Sequence, residues 1–394
     1  MTRRSWLLVG ALVAVQAALV WGVFVAAPHP GGDNAGYVAL GHALASGQGY
    51  TELWDPARPP HTKYPPVFPL LLALAMALGA DGWGGLKVVS FLATLVVSPA
   101  VFLWARSRLP EGLSFGVALL VALSPSLLYH SHWVLSDVPF LAFTVLALWA
   151  LSTALGESPR GTSIEAVERR GDEGGTGVVP AGPPRREGGG PWLWAGAVAC
   201  LLLACFTRTA GLPLAVAGVG VLLFRRRWLA AGGVATALGV PLLLWWARGR
   251  AQAAGQGRYA SEFFLLDPYQ PDLGPAGAGD FVARVLDNLG AYGTRFVPEA
   301  LLGSQGAGAA LVGLVVVALA VSGWVRCLRR GPGVAELFLP LYAGLILVWP
   351  PVWSGDRFAL PLVPILLVLA AGEAWRLTRR TGEGVRVGVL MALA

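Results

Sequence analysis

The sequence predicts an all-α, polytopic membrane protein, and three observations support this. Of 394 residues, 55% are hydrophobic and only 13% are charged, and the mean hydropathy is +0.63. Soluble domains are less apolar than this. Short loops rich in arginine separate long apolar runs, and glycine and proline are frequent, as is typical of membrane helices. We expect about 10 to 11 transmembrane spans.

The apolar runs give the positions of these spans, because a helix needs roughly 20 apolar residues to cross the hydrocarbon core. They are predicted at about Trp6–Ala27, Gly84–Ala105, Phe115–Tyr129, Val138–Leu155, Trp192–Phe206, Ala210–Phe224, Trp228–Trp246, Leu301–Val325, Ala335–Trp349 and Phe358–Trp375. A further run from about Val385 to Ala394 is too short to cross, so either the last helix is incomplete or the sequence is a fragment.

Arginine in the short loops predicts the orientation of the chain. If Arg3 and Arg4 are cytoplasmic, alternation of the spans puts the other Arg-rich loops on the same side, at 106–108, 225–227, 326–330 and 376–380. This requires that the run 67–80 does not cross. Its length of about 14 residues favours an interfacial or re-entrant helix. The first external loop is therefore expected to cover about 28–84 and to carry interfacial helices.

Three regions follow from this reading. Residues 1–155 form an N-terminal membrane region, and 192–394 form a C-terminal one with a large external loop at about 247–300. Between them, 156–191 is rich in Gly, Pro, Glu and Arg, which predicts a disordered cytoplasmic linker. The second external loop is predicted to contain one amphipathic helix that packs on the membrane region, because apolar residues recur at helical spacing: Phe281, Val285, Leu289, Tyr292 and Phe296.

Charge and cysteine content exclude several other classes. The net charge is +7, but the basic residues lie beside apolar runs, so they indicate topology and not a nucleic-acid surface. Cys200, Cys205 and Cys327 lie in or beside apolar runs and lack metal-ligand spacing, so we interpret them as small packing residues. His130 and His132 stand two residues apart, a poor spacing on one helix face but usable in a loop. A divalent metal is thus an unsupported alternative, and no cofactor or metal is predicted.

Asp33 is the residue around which the first external loop is interpreted. It follows two glycines and precedes a helical stripe of Tyr37, Leu40 and Leu44. As an N-cap it would accept hydrogen bonds from free backbone amides. As a general base at the lipid–water boundary it would take a proton from a hydroxyl group. Both interpretations stay open on local sequence.

Two further residues on the predicted outer face carry charge. Lys63 precedes Tyr64 and two prolines, which favour an extended backbone and place its ammonium at headgroup depth. At that depth the Lys63 ammonium either binds a phosphate or only extends (snorkels) to the membrane–water interface. Asp137 opens a span from outside, either as a helix cap or as a second acid that faces the first loop.

Two arginines also break the usual membrane rules. Arg208 lies between two spans of about 15 residues, which would put its charge below the membrane surface, facing a cavity, unless it is a turn residue that reaches water. Arg357 is external and stands at a helix N-terminus, where the helix dipole disfavours a cation. An anionic ligand or an ion pair with Asp356 would compensate.

These residues together suit displacement at a lipid phosphate, which needs a base for the incoming hydroxyl and cations for the leaving phosphate. The acids are Asp33 and Asp137. The candidate phosphate ligands are Lys63, Arg208 and Arg357. Candidate substrate contacts are Tyr37, Tyr64 and His132.

Five motifs, in their order along the chain, resemble the GT-C glycosyltransferases. They are GGDNAGY (31–37), KYPP (63–66), SDVPF (136–140), FTRTAG (206–211) and DRFALPLVP (356–364). The likeness is closest to the protein O-mannosyltransferases and aminoarabinose transferases with their bacterial relatives. It covers most of the chain apart from the linker.

The resemblance implies transfer of a sugar, usually with inversion, from a polyprenyl-phosphate donor to an external lipid, glycan or protein acceptor. It implies that Asp33 is the catalytic base, that Lys63, Arg208 and Arg357 bind the carrier phosphate, and that Asp137 is the acid of the second external loop, whose role varies. Asn34 stands where a second acid often follows the first, which argues against a mannose donor and a protein acceptor.

The location implied is a bacterial inner membrane with the site on its outer face. The alternative is a transporter or flippase of lipid-linked sugars that uses the same cations. Transporters often show internal repeats with binding sites at the midplane. We find no convincing repeat, and the candidate charges cluster on one face.

Overall fold

The computed structural model describes residues 2–29, 31–157, 189–252 and 259–378. Within these ranges the chain is mainly helical and contains no β-strand. Two isolated β-bridges pair Thr51 with Pro60 and Leu265 with Pro275. The predicted all-α fold is confirmed. Most of the predicted linker 156–191 and the whole C-terminal run from Val385 lie outside the described residues.

Eight helices precede the linker and ten follow it in the described part of the chain. The first eight are α1 Arg3–Val23, α2 Asn34–Ala45, α3 Val67–Ala77, α4 Gly82–Leu86, α5 Val88–Ala105, α6 Glu111–Ala122, α7 Pro125–His130 and α8 Asp137–Ala154. The others are α9 Pro191–Thr207, α10 Leu212–Phe224, α11 Trp228–Gln252, α12 Tyr259–Phe263, α13 Ala278–Ala291, α14 Val297–Leu302, α15 Ala307–Arg329, α16 Val334–Leu347, α17 Asp356–Ala359 and α18 Val363–Thr378.

Each predicted span coincides with helical structure, and the lengths sort these helices into two groups. Among the described residues, five helical segments are long and apolar enough to cross a membrane: α1, α4 with α5, α8, α11 and α15. Five shorter apolar helices accompany them: α3, α6, α9, α10 with the turn before it, and α16. Backbone groups in lipid must be satisfied internally, which helices achieve. The chain is therefore a multi-pass membrane protein.

Ion pairs gather the arginine-rich loops at one end of the bundle. Glu111 pairs with Arg4 and Arg106, and Glu373 pairs with Arg326 and Arg376. Glu157 and Glu336 complete this end through the pairs Arg108–Glu157, Arg225–Glu157 and Arg108–Glu336. The long helices run from this end to the opposite one, so residues at the start of α8 and after α9 lie at the opposite end.

Helices α2 and α3 form a small unit at that opposite end. The predicted interfacial run folds as α3, whose 11 residues are too few to cross a membrane. Phe68 and Leu72 are fully buried in a cluster with Tyr37 and Leu40 of α2. Each such side chain contributes about 1.5–3 kcal/mol of burial free energy. This packing fixes the start of α2, where Asp33 lies.

The amphipathic helix predicted in the second external loop forms as α13, and four of the five predicted residues face inward: Tyr292 is buried, and Phe281, Val285 and Phe296 are half-buried. Leu289, which we expected to pack inward, is 57% exposed, whereas Arg284 and Asn288 are buried. Arg284 donates to carbonyls at the end of α12 and just after it, and Asn288 donates to the carbonyls of Leu347, the last residue of α16, and Trp349. Buried backbone acceptors need partners, so these two polar side chains lie on the inner face together with the predicted apolar residues.

Candidate active site

Asp33 sits at a sharp turn between α1 and α2. Gly31 and Gly32 adopt left-handed conformations with φ of 85° and 72°, which glycine adopts without steric cost. Asp33 occupies the N-cap position of α2, but its side chain makes no capping hydrogen bond. The N-cap position is therefore as predicted, but the capping hydrogen bond is not formed. Instead, Asp33 Oδ1 accepts a hydrogen bond from the Tyr64 hydroxyl at 2.9 Å.

Tyr64 is a protonated donor to this carboxylate. Burial raises the pKa of Tyr64, and the facing charge of Asp33 raises it further. The phenol therefore stays protonated over the accessible pH range. Its ring packs at 4.7 Å from that of Tyr37, whose hydroxyl lies 3.0 Å from Ser136 Oγ. Of the two tyrosines predicted to contact substrate, Tyr64 therefore contacts Asp33 directly and Tyr37 packs against Tyr64.

Arg357 lies beside the turn that carries Asp33. A Cβ built on Gly32 would lie 4.0 Å from Arg357 Nη1. The Arg357 guanidinium also lies 4.8 Å from the ring centroid of Phe358, and that of Arg208 lies 4.9 Å from the same centroid. Both guanidinium groups therefore lie against the same aromatic ring. One acid and two cations converge at this end of the bundle.

Arg208 is held in place by a buried acid. It leaves the end of α9 in an extended conformation, and its guanidinium forms an ion pair with Asp137, whose side chain is 3% exposed. Gly211 allows the chain to reverse directly after it, because a Cβ there would lie 2.8 Å from the Ala204 backbone. Asp137 therefore positions a cation and does not face the first loop as a free acid.

Arg357 differs from Arg208 because the neighbouring acid is already engaged. Asp356 accepts hydrogen bonds from Ser126 at 2.5 Å and His130 at 3.2 Å. Burial alone would raise the pKa of Asp356, but these bonds and the charge of His130 outweigh it and hold the pKa below its ordinary value. The alternative pair of Arg357 with Asp356 is not formed. Within the described ranges, no carboxylate forms a salt bridge with Arg357.

Lys63 is engaged by an acid that sequence reasoning missed. Its ammonium lies 2.8 Å from Glu262, which belongs to α12 in the second large loop. The structure thus places Lys63 beside Glu262, while its neighbour in sequence, Tyr64, contacts Asp33. The sequence did show an acid, Glu262, in the second large loop, which was predicted to lie on the same side of the membrane as Lys63.

His132 is buried behind the Asp33 turn. It is 5% exposed, and its ring centroid lies 4.9 Å from that of His29, whose carbonyl accepts a hydrogen bond from Asn34. Burial, together with the charges of His29 and Lys87, lowers the pKa of His132 to about 4. A neutral buried ring is suited to packing. Among the described residues no group of three or more His, Cys, Asp or Glu could hold a metal ion.

The variant Asp137→Asn is expected to lose about 3–5 kcal/mol of stability, because it leaves the half-buried Arg208 charge without its partner. The double variant Asp137→Asn/Arg208→Gln should recover part of this loss, since no charge is then left unpaired. Thermal unfolding in lipid nanodiscs measures both. Asp287→Asn, at an exposed acid on α13, is the control. Equal unfolding temperatures for Asp137→Asn and this control would contradict the expectation.

The chain has the fold of the GT-C membrane glycosyltransferases, as the sequence motifs led us to expect. A family model described as dolichyl-phosphate-mannose-protein mannosyltransferase matches residues 63–161, which include the KYPP and SDVPF motifs. No curated protein sequence matches the chain.

Two solved structures illustrate the likeness. ArnT from Cupriavidus metallidurans bound to undecaprenyl phosphate matches with a TM-score of 0.56 and 15% identity, over 98% of this chain and 63% of that one. The archaeal oligosaccharyltransferase AglB from Archaeoglobus fulgidus, in complex with an inhibitory peptide and a dolichol-phosphate, matches with a TM-score of 0.52 and 14% identity, over 98% and 54%. The chain thus spans less than two thirds of either protein. At these identities the likeness shows the fold alone.

Proposed function

We propose that the chain is a membrane glycosyltransferase that moves a sugar from a polyprenyl-phosphate donor to an acceptor hydroxyl. One observation carries this proposal: the Asp33 turn lies against Arg357, and Arg357 shares the Phe358 ring with Arg208. The proposed base would thereby have one cation beside it and a second one at the same aromatic ring. This is the set that a displacement at a sugar phosphate requires.

The charge balance supports a phosphate as the ligand of the two arginines. Two guanidinium groups lie near one ring, and in the described part of the chain only Arg208 of the two has a carboxylate in a salt bridge. Arginine matches phosphate oxygens with two parallel hydrogen bonds. An arriving phosphate would relieve the repulsion between the cations. The ArnT and AglB structures contain undecaprenyl phosphate and dolichol-phosphate, and we propose a donor of the same chemistry here.

An apolar cavity supports a lipid-linked form of that phosphate. It has a volume of about 800 Å³ and lies between α1, α3, α5 and α8. Its lining includes Trp21, Leu74 and Phe143, and it reaches Pro139, two residues after Asp137. A polyprenyl tail in this cavity would be shielded from water while its phosphate reached the arginines.

The proposed reaction is a single displacement. A carboxylate oxygen of Asp33 takes the proton of the acceptor hydroxyl, whose oxygen attacks the anomeric carbon on the face opposite the phosphate. The bond from that carbon to the phosphate oxygen breaks, and its electron pair leaves with the phosphate. Arg357 and Arg208 stabilise the charge that develops there. Inversion at the anomeric carbon follows, and the acceptor is a lipid, a glycan or a protein.

Lys63 remains part of the proposal as a third cation near the site. It is held by Glu262, so a donor phosphate that binds Lys63 would compete with that carboxylate. The positive-inside tendency assigns the Arg-rich end of the bundle to the cytoplasm. The proposed site would then face the outside of the membrane, which is the periplasm in a bacterial inner membrane.

Mass spectrometry of lipid-linked sugars and surface glycans, in cells with and without the protein, tests the proposal. We expect one polyprenyl-phosphate sugar to accumulate in its absence while one glycan loses a single sugar. A donor that accumulates only on the cytoplasmic leaflet, with purified protein that forms no product, would indicate a flippase. An unchanged set of donors and glycans would overturn the proposal.

A further inference from the structure

His61 is buried and has both ring nitrogens occupied. Its side chain is 2% exposed, and Nδ1 lies 2.8 Å from Glu52 Oε1. Nε2 lies 2.8 Å from the backbone nitrogen of Tyr64. The Tyr64 N–H can only donate, so Nε2 must be the unprotonated acceptor and Nδ1 carries the proton toward Glu52. The two contacts fix one tautomer of the ring.

Tyr64 is held by hydrogen bonds of both its backbone and its side chain. Its N–H donates to His61, its carbonyl accepts from the Tyr50 hydroxyl at 2.9 Å, and its own hydroxyl donates to Asp33. The His61 and Tyr64 rings pack with centroids 4.9 Å apart. The chain of contacts from Glu52 through His61 and Tyr64 therefore ends at the carboxylate that we assign as the base.

His61 itself is anchored from a second element. Arg248 of α11 donates to the His61 carbonyl at 3.0 Å, and its guanidinium lies 5.7 Å from the Tyr50 ring centroid. The Trp54 ring packs edge-on against His61 at 5.8 Å. The imidazole is therefore fixed relative to the membrane helices as well as to its own loop.

Taking the proposed function as the basis, we propose that His61 is a positioning residue of the transfer reaction. In the tautomer set by Glu52, it accepts the Tyr64 backbone N–H and so directs the Tyr64 hydroxyl to Asp33. The distance from Asp33 to the acceptor hydroxyl would then depend on a ring that touches neither substrate. Orientation of this kind contributes to the reaction rate because small displacements of a base are costly.

Protonation of His61 would break this arrangement. Burial lowers the pKa of His61, and Glu52 opposes this, while the facing charges of Lys63 and Arg248 lower it further. Tyr50 and Tyr64 also face the ring but are uncharged. A proton on Nε2 would set a donor against the donor N–H of Tyr64. Turnover should therefore fall as the pH drops through the lowered pKa, which lies below 6.5.

Two amide variants separate positioning from packing. In His61→Gln, the oxygen of the introduced side-chain amide can stand where Nε2 stands and keep the acceptor for Tyr64. In His61→Asn, the shorter amide can replace only the Nδ1 donor. We expect His61→Asn to lower kcat at least about tenfold with the donor KM unchanged, as for the loss of one orienting hydrogen bond. His61→Gln should keep kcat within about threefold and lose the part of the acidic fall in turnover that protonation of His61 causes.

Hydrogen–deuterium exchange supplies a readout that does not depend on activity. The backbone amide of Tyr64 should exchange faster in His61→Asn than in His61→Gln or the unmodified protein. Equal exchange in all three, or equal kcat in the two variants, would overturn the positioning role. If exchange follows the predicted order but the unmodified protein transfers no sugar, the proposed function fails and the positioning of Asp33 by His61 stands as a structural feature.

Discussion

Replacement of Asp33 with asparagine is expected to lower kcat by about 10²–10⁴-fold, the range that a general base contributes. The asparagine carbonyl can still accept the Tyr64 hydroxyl, so the local geometry should be kept. The amide cannot take the proton of the acceptor hydroxyl. Donor binding should be unchanged, because the arginines are intact. Transfer from a labelled donor and binding of that donor, both in nanodiscs, measure the two effects separately.

Asp81→Asn is the matched control for this variant. Asp81 also occupies an N-cap position without a capping hydrogen bond, before α4, and it is exposed. The same chemical change is thereby made in the same part of the chain away from the arginines. We expect it to leave turnover unchanged. An Asp33→Asn protein that retains the turnover of Asp81→Asn would refute the assignment of the base.

Arg357→Gln is expected to weaken donor binding by about 10- to 100-fold, as for the loss of a charged hydrogen bond. It should also lower kcat, because charge develops on the leaving phosphate in the transition state. The fold should tolerate the change, since no salt bridge of Arg357 occurs among the described residues. Titration of the donor against the variant and the unmodified protein gives the dissociation constants.

Arg295→Gln provides the comparison for this second prediction. Arg295 likewise lies over the ring of the phenylalanine that follows it, with its guanidinium 5.2 Å from the Phe296 centroid. It is exposed, so its loss should alter neither donor binding nor turnover. If the two variants bind the donor equally well, Arg357 is not a phosphate ligand.

The helical fold could be predicted because lipid restricts the backbone structures that a chain can adopt. An apolar run in a membrane must satisfy its own backbone, so the length of each run was enough to predict a helix. One residue of the predicted stripe on α13 was wrong: Leu289 is exposed, while Arg284 and Asn288 bind backbone carbonyls on the inner face. Helical spacing alone does not tell which face of an interfacial helix finds acceptors.

The sequence singled out some candidate residues of the site because they break membrane rules, such as an arginine at a helix start. The ion-pair partners of these residues could not be predicted from the sequence. Asp137 meets Arg208 across 71 positions, and Lys63 meets Glu262 across 199. Such contacts depend on how the helices pack and leave no local signature. Asp33 illustrates this, because its N-cap position could be predicted from the sequence while its hydrogen bond from Tyr64 could not.

The most direct test of the central claim is an electron cryomicroscopy structure of the protein in nanodiscs with a polyprenyl phosphate. We expect density for the phosphate in contact with the guanidinium groups of both Arg208 and Arg357, on the side of the Asp33 turn. A phosphate bound at the opposite, Arg-rich end of the bundle, or away from these two arginines, would contradict it.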